Sequence, residues 1–145
     1  MRRRTQAREC ALKILYQMEI TRVLPAEAAA NFWDFNATET PVQLFASELV
    51  MGVAQHRDAI DVLLTKHADN WTLERMAIID RNVLRLGVFE LLYMDGVPPK
   101  VAINEAVDLA KRYGAEESGK FVNGILDTIH KTTPRPNTPT GADGR

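Results

Sequence analysis

Apolar residues recur at the spacing of an α-helix over most of residues 5–130, and no segment shows the sustained alternation of apolar and polar residues that is typical of a strand. Residues 83–92 differ from the other segments, because projecting them at about 100° per residue spreads apolar side chains nearly all round the helix. A helix with this pattern is buried on most sides. We therefore expect an all-α fold, a compact bundle of about seven helices in which residues 83–92 are the centre of the carboxy-terminal half.

Capping and breaking residues predict where the helices begin and end. Thr40-Pro41-Val42-Gln43 has the form of a capping box and predicts the start of a long third helix, whose apolar stripe continues to Leu63 or Leu64. Pro25 suits the first turn of the second helix, and Thr72 can cap a short fourth helix. The other predicted helices cover residues 5–20, residues 80–95 ahead of Gly96 and Pro98-Pro99, residues 101–113 ahead of a left-handed Gly114, and residues 116–130.

The helical pattern breaks around Asn70-Trp71-Thr72, which is the expected seam between two helical subdomains of one domain over residues 1–131. Residues 132–145 contain three prolines and no apolar residue larger than alanine, which predicts a disordered tail. No apolar run approaches the roughly 20 residues that span a bilayer, and charged residues follow the first arginines where a signal peptide has its apolar core. We therefore expect a cytoplasmic protein without a membrane segment.

The formal net charge of −1 conceals an uneven distribution. Residues 1–8 carry +4, residues 131–145 carry +2, and the residues between them carry −7. A basic arm on an acidic body suits the binding of a polyanion at one place, while the body repels nucleic acid elsewhere. Four arginines at a terminus are also typical of a solvated, frayed end, so the arm alone assigns no function.

Residues 114–121 nearly match the phosphate-binding loop G-x-x-x-x-G-K-[ST], but three features argue against a nucleotide site. Phe121 stands where a magnesium-binding hydroxyl is required. Glu116 and Glu117 would repel phosphates within the loop. The preceding segment is predicted to be a helix, whereas a phosphate-binding loop follows a strand.

Metal and catalytic sites have equally little support in the sequence. His56 and His67 are eleven residues apart on one predicted helix, which is about 16 Å along its axis and too far to share an ion. His130 suits the end of a helix, where the dipole favours a cation. A single cysteine, Cys10, excludes an internal disulfide and a zinc site built on several thiolates. We expect a protein without catalytic activity, metal or cofactor.

Three features suggest a surface that binds a partner. Tyr16 projects roughly 170° from the centre of its helix's apolar stripe, so it should face solvent or a partner. Lys120 points nearly opposite the core beside Phe121, which lies at the border of the apolar stripe and could either stack on an unpaired base or pack in the core. Arg4 and Arg8 lie one helical turn apart on a flank of the first helix.

Several longer stretches together resemble the NusB family of bacterial antitermination factors. They are residues 97–107 (VPPKVAINEAV), 109–111 (LAK), 114–116 (GAE), Ser118, 120–126 (KFVNGIL), 2–4 (RRR), 7–12 (ARECAL), 15–16 (LY), 83–86 (VLRL) and 90–91 (EL). The resemblance covers about residues 2–130, and only about residues 21–37 and the tail lack it.

The resemblance implies a protein that binds the single-stranded boxA element of nascent RNA and pairs with NusE, the small-subunit ribosomal protein, so that polymerase passes terminators in ribosomal RNA operons. Other antitermination factors and RNA polymerase would be engaged indirectly. Matching positions assign RNA-phosphate contacts to Arg2, Arg3, Arg4 and Arg8, and assign stacking and charge to Tyr113, Lys120 and Phe121. Tyr16 and Asp80 would belong to the NusE face.

Two alternatives come from other functional classes. The chain could be a helical protein-interaction adaptor whose basic arm is incidental. A NusB-like module also occurs in certain RNA cytosine methyltransferases, but the predicted tail leaves no room for a methyl-donor domain. The sequence does not distinguish a monomer from a homodimer that masks the RNA face.

Overall fold

A computed structural model describes residues 2–68 and 72–136. Within these ranges the chain is helical, without a β-strand, which confirms the predicted all-α fold. No helix in them is long and apolar enough to cross a membrane. The elements are α1 (Arg3–Thr21), α2 (Pro25–Phe35), α3 (Thr40–Gln55), α4 (Arg57–His67), a 3₁₀ turn (Leu73–Arg75), α5 (Ile78–Tyr93), α6 (Pro99–Tyr113) and α7 (Ser118–Thr132).

Helix α5 occupies the centre of the bundle, as its all-round apolar pattern predicts. Every residue from Asn82 to Leu92 is buried, and α5 packs against α1, α3, α4, α6 and α7. Three polar residues share this buried stretch: Asn82, Arg85 and Glu90. A buried charge is stable only when it is paired and hydrogen-bonded. The polar residues of α5 therefore require matching groups on the helices around it.

The prediction of one long third helix is wrong, because the chain forms two helices, α3 and α4, that meet at His56. This residue has φ −108° and ψ 15°, and its ring stacks on Tyr93 of α5 with 4.0 Å between ring centres. No proline or glycine marks the break in the sequence. The bend coincides with this contact to α5, and it leaves His56 between the two helices and His67 at the end of α4.

Three helix ends differ in detail from their predictions. Thr40 does not act as the cap of α3: Glu39 precedes the helix, no side chain caps it, and Gln43 Nε2 donates to the carbonyl of Thr38 instead. Thr72 precedes a three-residue 3₁₀ turn and makes no side-chain cap. Gly114 has φ −97°, so it is not left-handed; a Cβ there would lie 2.6 Å from Ser118 Oγ, and this close approach explains the glycine.

The predicted seam at Asn70 lies outside the described residues, and so does most of the predicted tail. The described part of that tail ends at residue 136. Arg135 is held there by the loop between α5 and α6, because its guanidinium donates to the carbonyls of Met94 at 2.8 Å and Val97 at 2.9 Å. Residues 133–135 therefore return the chain to the end of α5.

Gly52 lets α3 approach α5 closely, which leads to a stability prediction. A Cβ at Gly52 would lie 2.0 Å from Phe89 Cζ. Gly52→Ala should therefore lower the free energy of unfolding by about 1–3 kcal/mol, the usual range for overpacking a core. Gly124→Ala on α7 is the control, because no atom lies within 4 Å of its Cβ position; it should raise stability by about 0.5–1 kcal/mol. Urea titrations compare the two, and a stabilised Gly52→Ala variant would contradict the close packing.

Candidate nucleic-acid and partner surfaces

Three of the predicted arginines form an exposed basic arm at the start of α1. Arg2 precedes the helix, and Arg3 and Arg4 lie in its first turn; all three are exposed. Arg3 Nη2 lies 3.2 Å from Glu39 Oε2 in an ion pair that is open to solvent. The Arg4 guanidinium lies over the ring of Phe45, 4.4 Å from its centre. The arm is therefore ordered and accessible to an anion.

Arg8 does not belong to this arm, which corrects its predicted role as a phosphate contact. Its side chain is only 4% exposed. Its guanidinium donates to both carboxylate oxygens of Glu90 at 2.6–2.9 Å and to Glu105 Oε1 at 3.2 Å. Burial alone would lower the pKa of Arg8, but the hydrogen bonds and charges of the two carboxylates outweigh it and raise that pKa. Arg8 stays charged, and its donors are directed at α5 and α6.

Helices α1 and α6 run side by side in the same direction. Successive turns of α1 contact α6 in order: Thr5 Oγ1 donates to Glu105, Glu9 pairs with Arg112, and Lys13 Nζ lies 5.7 Å from the centre of the Tyr113 ring. Tyr113 lies eight residues after Glu105, which corresponds to about 12 Å along the helix. The arginine arm and Tyr113 therefore lie at opposite ends of one seam.

The junction of α6 and α7 carries the other predicted RNA-binding residues. Tyr113 ends α6 and is half-buried, Lys120 is exposed, and Phe121 is half-buried against the core. Ser118 is buried and accepts a hydrogen bond from the Ala115 amide at 2.9 Å. The stretch that nearly matches a phosphate-binding loop therefore joins two helices and includes the first turn of α7, and the element before it is the helix α6, as predicted, instead of a strand.

Tyr16 and Asp80 lie beside a second contact between α1 and α5. Tyr16 is 38% exposed, as its projection predicts. Three residues later, Glu19 accepts hydrogen bonds from Arg81, the residue after Asp80, at 2.6 Å. Asp80 also lines a groove of about 330 Å³ with Phe121, and its Oδ1 is buried without a hydrogen-bond partner in the described residues. Asp80 therefore lies beside the α6–α7 junction, while Tyr16 is on the exposed side of α1.

Comparison with known proteins identifies the family of this fold. The model of the NusB family matches residues 5–131. The chain belongs to the NusB family. A transcription antitermination protein NusB from Myxococcus xanthus is 49% identical over 137 residues, which cover 92% of this chain and 98% of the relative. Another, from Anaeromyxobacter dehalogenans (strain 2CP-1), is 52% identical over 133 residues, which cover 91% and 93% of the two chains.

Solved structures of NusB proteins share the fold. NusB from T. maritima matches with a TM-score of 0.81 at 36% identity, covering 94% of each chain. A chain in a crystal structure of the antitermination factors NusB and NusE in complex with dsRNA matches with a TM-score of 0.81 at 34% identity, covering 90% of this chain and 98% of the other. The bundle described above is therefore the NusB fold.

Two residues of this NusB family member were not among the predicted site residues. Lys13 is exposed beside Tyr113 on the α1–α6 seam, and Phe45 supports Arg4. Projection of α1 shows that Lys13 lies outside the apolar stripe, but it does not show which helix faces it. Phe45 belongs to an apolar stripe, and nothing local distinguishes it from other core residues.

The Glu19 contact predicts how stability of this NusB fold depends on pH. Burial alone would raise the pKa of Glu19, but hydrogen bonds from Arg81 and Asn82 and the charges of Arg81 and Arg85 outweigh it and lower that pKa. Because this pKa is lower in the folded state, the ionised Glu19 stabilises the fold at pH values above its unfolded-state pKa. This stabilisation is lost as the pH falls through its folded-state pKa. Glu19→Gln should lower the free energy of unfolding at pH 7 by about 1–3 kcal/mol.

The same variant should lose less stability than the wild type when the pH is lowered from about 6 to about 3, the range in which carboxylates take up protons. Glu48→Gln, at an exposed position of α3, is the control and should follow the wild type. Urea titrations at several pH values measure both effects. If the free energy of unfolding of the wild type and of Glu19→Gln changes with pH in parallel, the Glu19 carboxylate does not contribute to the pH dependence of stability.

Proposed function

We propose that this protein binds boxA RNA together with the ribosomal protein NusE as a transcription antitermination factor. The observation that carries the proposal is its likeness, over 90% of its length, to the NusB chain that was crystallised with NusE and dsRNA. That RNA is double-stranded. The choice of an unpaired target rests on Phe121, because a half-exposed aromatic ring can stack on a base only when the base faces are free.

The RNA surface extends from the arginine arm to the junction of α6 and α7. Arg2, Arg3 and Arg4 neutralise phosphates, which supplies a salt-dependent and sequence-independent part of the affinity. Tyr113 and Phe121 offer ring faces or edges to unpaired bases, and Lys120 meets a phosphate beside them. The RNA would follow the α1–α6 seam, where Arg112 lies between the two ends and Lys13 lies beside Tyr113.

Tyr16 and Asp80 are proposed to contact NusE. Tyr16 is a large exposed side chain on a helix whose other face is buried, and tyrosine is enriched in protein interfaces. Asp80 is half-buried, so part of its side chain remains open to a partner. Both residues lie beside the Glu19–Arg81 ion pair, so the partner surface is attached to a rigid part of the bundle.

The mechanism is binding without catalysis. One surface holds RNA and another holds a protein, so each partner raises the effective concentration of the other in the complex. Neither contact alone needs to be tight. Other antitermination factors and RNA polymerase would join through this complex instead of through a separate site on the chain.

Variants at the α6–α7 junction test the RNA surface. Phe121→Leu should weaken binding of a boxA RNA by roughly tenfold, because stacking contributes about 1–3 kcal/mol per base. Lys120→Gln should lower the slope of log affinity against log salt by about 0.7, the effect of one phosphate contact on a single strand. Lys131→Gln, near the far end of α7, is the control and should bind like the wild type.

Filter binding at two salt concentrations, with a scrambled RNA beside the boxA sequence, measures these effects. The wild type should prefer boxA. Equal affinity for the two sequences would exclude the proposed function and favour a helical adaptor with an incidental basic arm.

Glu117 gives the opposite prediction, because removing its charge should strengthen RNA binding. It is exposed at the start of α7, close to Lys120 and Phe121, and its charge repels phosphates. Glu117→Gln should therefore strengthen boxA binding by roughly twofold, the scale of an exposed charge pair. Glu27→Gln on α2 removes the same charge away from the junction and should change little. An unchanged or weaker affinity for Glu117→Gln would show that this carboxylate does not face the RNA.

A further inference from the structure

The first turn of α1 lacks the features that normally stabilise a helix start. It has no side-chain cap and no acidic residue. Arg3 and Arg4 place two positive charges at the positive end of the helix dipole, which disfavours the turn. The backbone is nevertheless helical from Arg3, with the Gln6 amide donating to the Arg2 carbonyl at 2.9 Å. Contacts with other helices must therefore hold this turn.

Arg3 contacts Glu39 and Arg4 contacts Phe45, and two carboxylates hold Thr5 and Arg8, which follow these arginines in α1. Glu105 Oε1 of α6 accepts a hydrogen bond from Thr5 Oγ1 at 2.9 Å and one from Arg8 at 3.2 Å. Glu90 of α5 is 2% exposed and accepts the remaining Arg8 donors. Thr5 directly follows the arginine arm, and Arg8 lies one turn further along α1. The carboxylates thus fix the helix immediately after the three exposed arginines.

We propose that Glu105 and Glu90 are positioning residues for RNA binding, because they keep Arg2, Arg3 and Arg4 in one helical turn on the RNA surface. This inference rests on the proposed RNA-binding function. Neither carboxylate contacts RNA. They act by keeping the arginine arm helical before RNA binds. A frayed first turn would have to become ordered when phosphates bind, and ordering each residue costs conformational entropy.

Simple electrostatics predicts the opposite effect, and this makes the inference testable. Glu105 is partly exposed, and a negative charge near a phosphate-binding arm weakens RNA binding by repulsion. Removing that charge should then strengthen binding. If Glu105 acts as a positioning residue, removing its carboxylate should weaken RNA binding, because Thr5 and Arg8 would lose the hydrogen-bond acceptor that they share.

Asp108 supplies a matched control for Glu105. It lies one turn further along α6 and lines the same cleft between α1 and α6. It is exposed and makes no hydrogen bond within the described part of the chain. Glu105→Ala and Asp108→Ala therefore remove the same charge, but only the first removes a hydrogen bond to α1.

The experiment measures boxA RNA binding of the full-length protein at several salt concentrations. Glu105→Ala should weaken binding by roughly tenfold, which is about 1.4 kcal/mol, and lower the salt slope by about 0.7 for each phosphate that the arm no longer binds. Asp108→Ala should bind as tightly as the wild type or more tightly. Thr5→Val, which changes no charge, should also weaken binding, and Thr5→Ser should restore it because it keeps the hydroxyl.

Hydrogen exchange separates positioning from general loss of stability. In Glu105→Ala the amide of Gln6 should exchange faster, while amides in the middle of α5 keep their protection. Tighter RNA binding by Glu105→Ala, or unchanged exchange at Gln6, would overturn the inference. If the wild type shows no preference for boxA RNA, the proposed function fails, and the exchange at Gln6 still decides whether Glu105 orders the arm.

Discussion

The ion pair of Arg8 with Glu90 determines how the helices of this protein can be arranged. A buried pair adds little net stability compared with apolar residues, but leaving one partner unpaired costs about 3–5 kcal/mol. The folded chain therefore has to place Arg8 of α1 next to Glu90 at the centre of α5, and Glu105 of α6 forms a second ion pair with Arg8. This requirement selects one register for α1, and the exposed residues on its outer side follow from it.

Both proposed surfaces depend on α1, and α5 holds α1 at two points. Arg8 joins Glu90 near the amino-terminal end of α1, and Glu19 joins Arg81 near the other end. The arginine arm lies outside the first contact, and Tyr16 lies between the contacts on the solvent side. An RNA and a protein bound at these places would share one rigid support, and contact between the two partners would make each strengthen the binding of the other.

Local pattern was sufficient for much of this structure and insufficient for the parts that depend on distant residues. The burial of α5 and the exposure of Tyr16 follow from helical periodicity, which is a property of neighbouring residues. The family resemblance assigned Arg8 to the RNA, and helical periodicity did not show that Arg8 is buried, because its partners Glu90 and Glu105 lie 82 and 97 residues away. The bend at His56 was missed because no helix-breaking residue marks it, and the ring that His56 stacks on, Tyr93, is distant in the sequence.

The central claim is that one chain holds boxA RNA and NusE at the same time. Its most direct test is the dissociation constant for boxA RNA, measured by filter binding with and without saturating NusE at one salt concentration. A shared complex predicts clearly tighter RNA binding in the presence of NusE, and no such gain for Tyr16→Ala if that residue carries the partner contact. An RNA affinity that does not change when NusE is added to the wild type would contradict the claim.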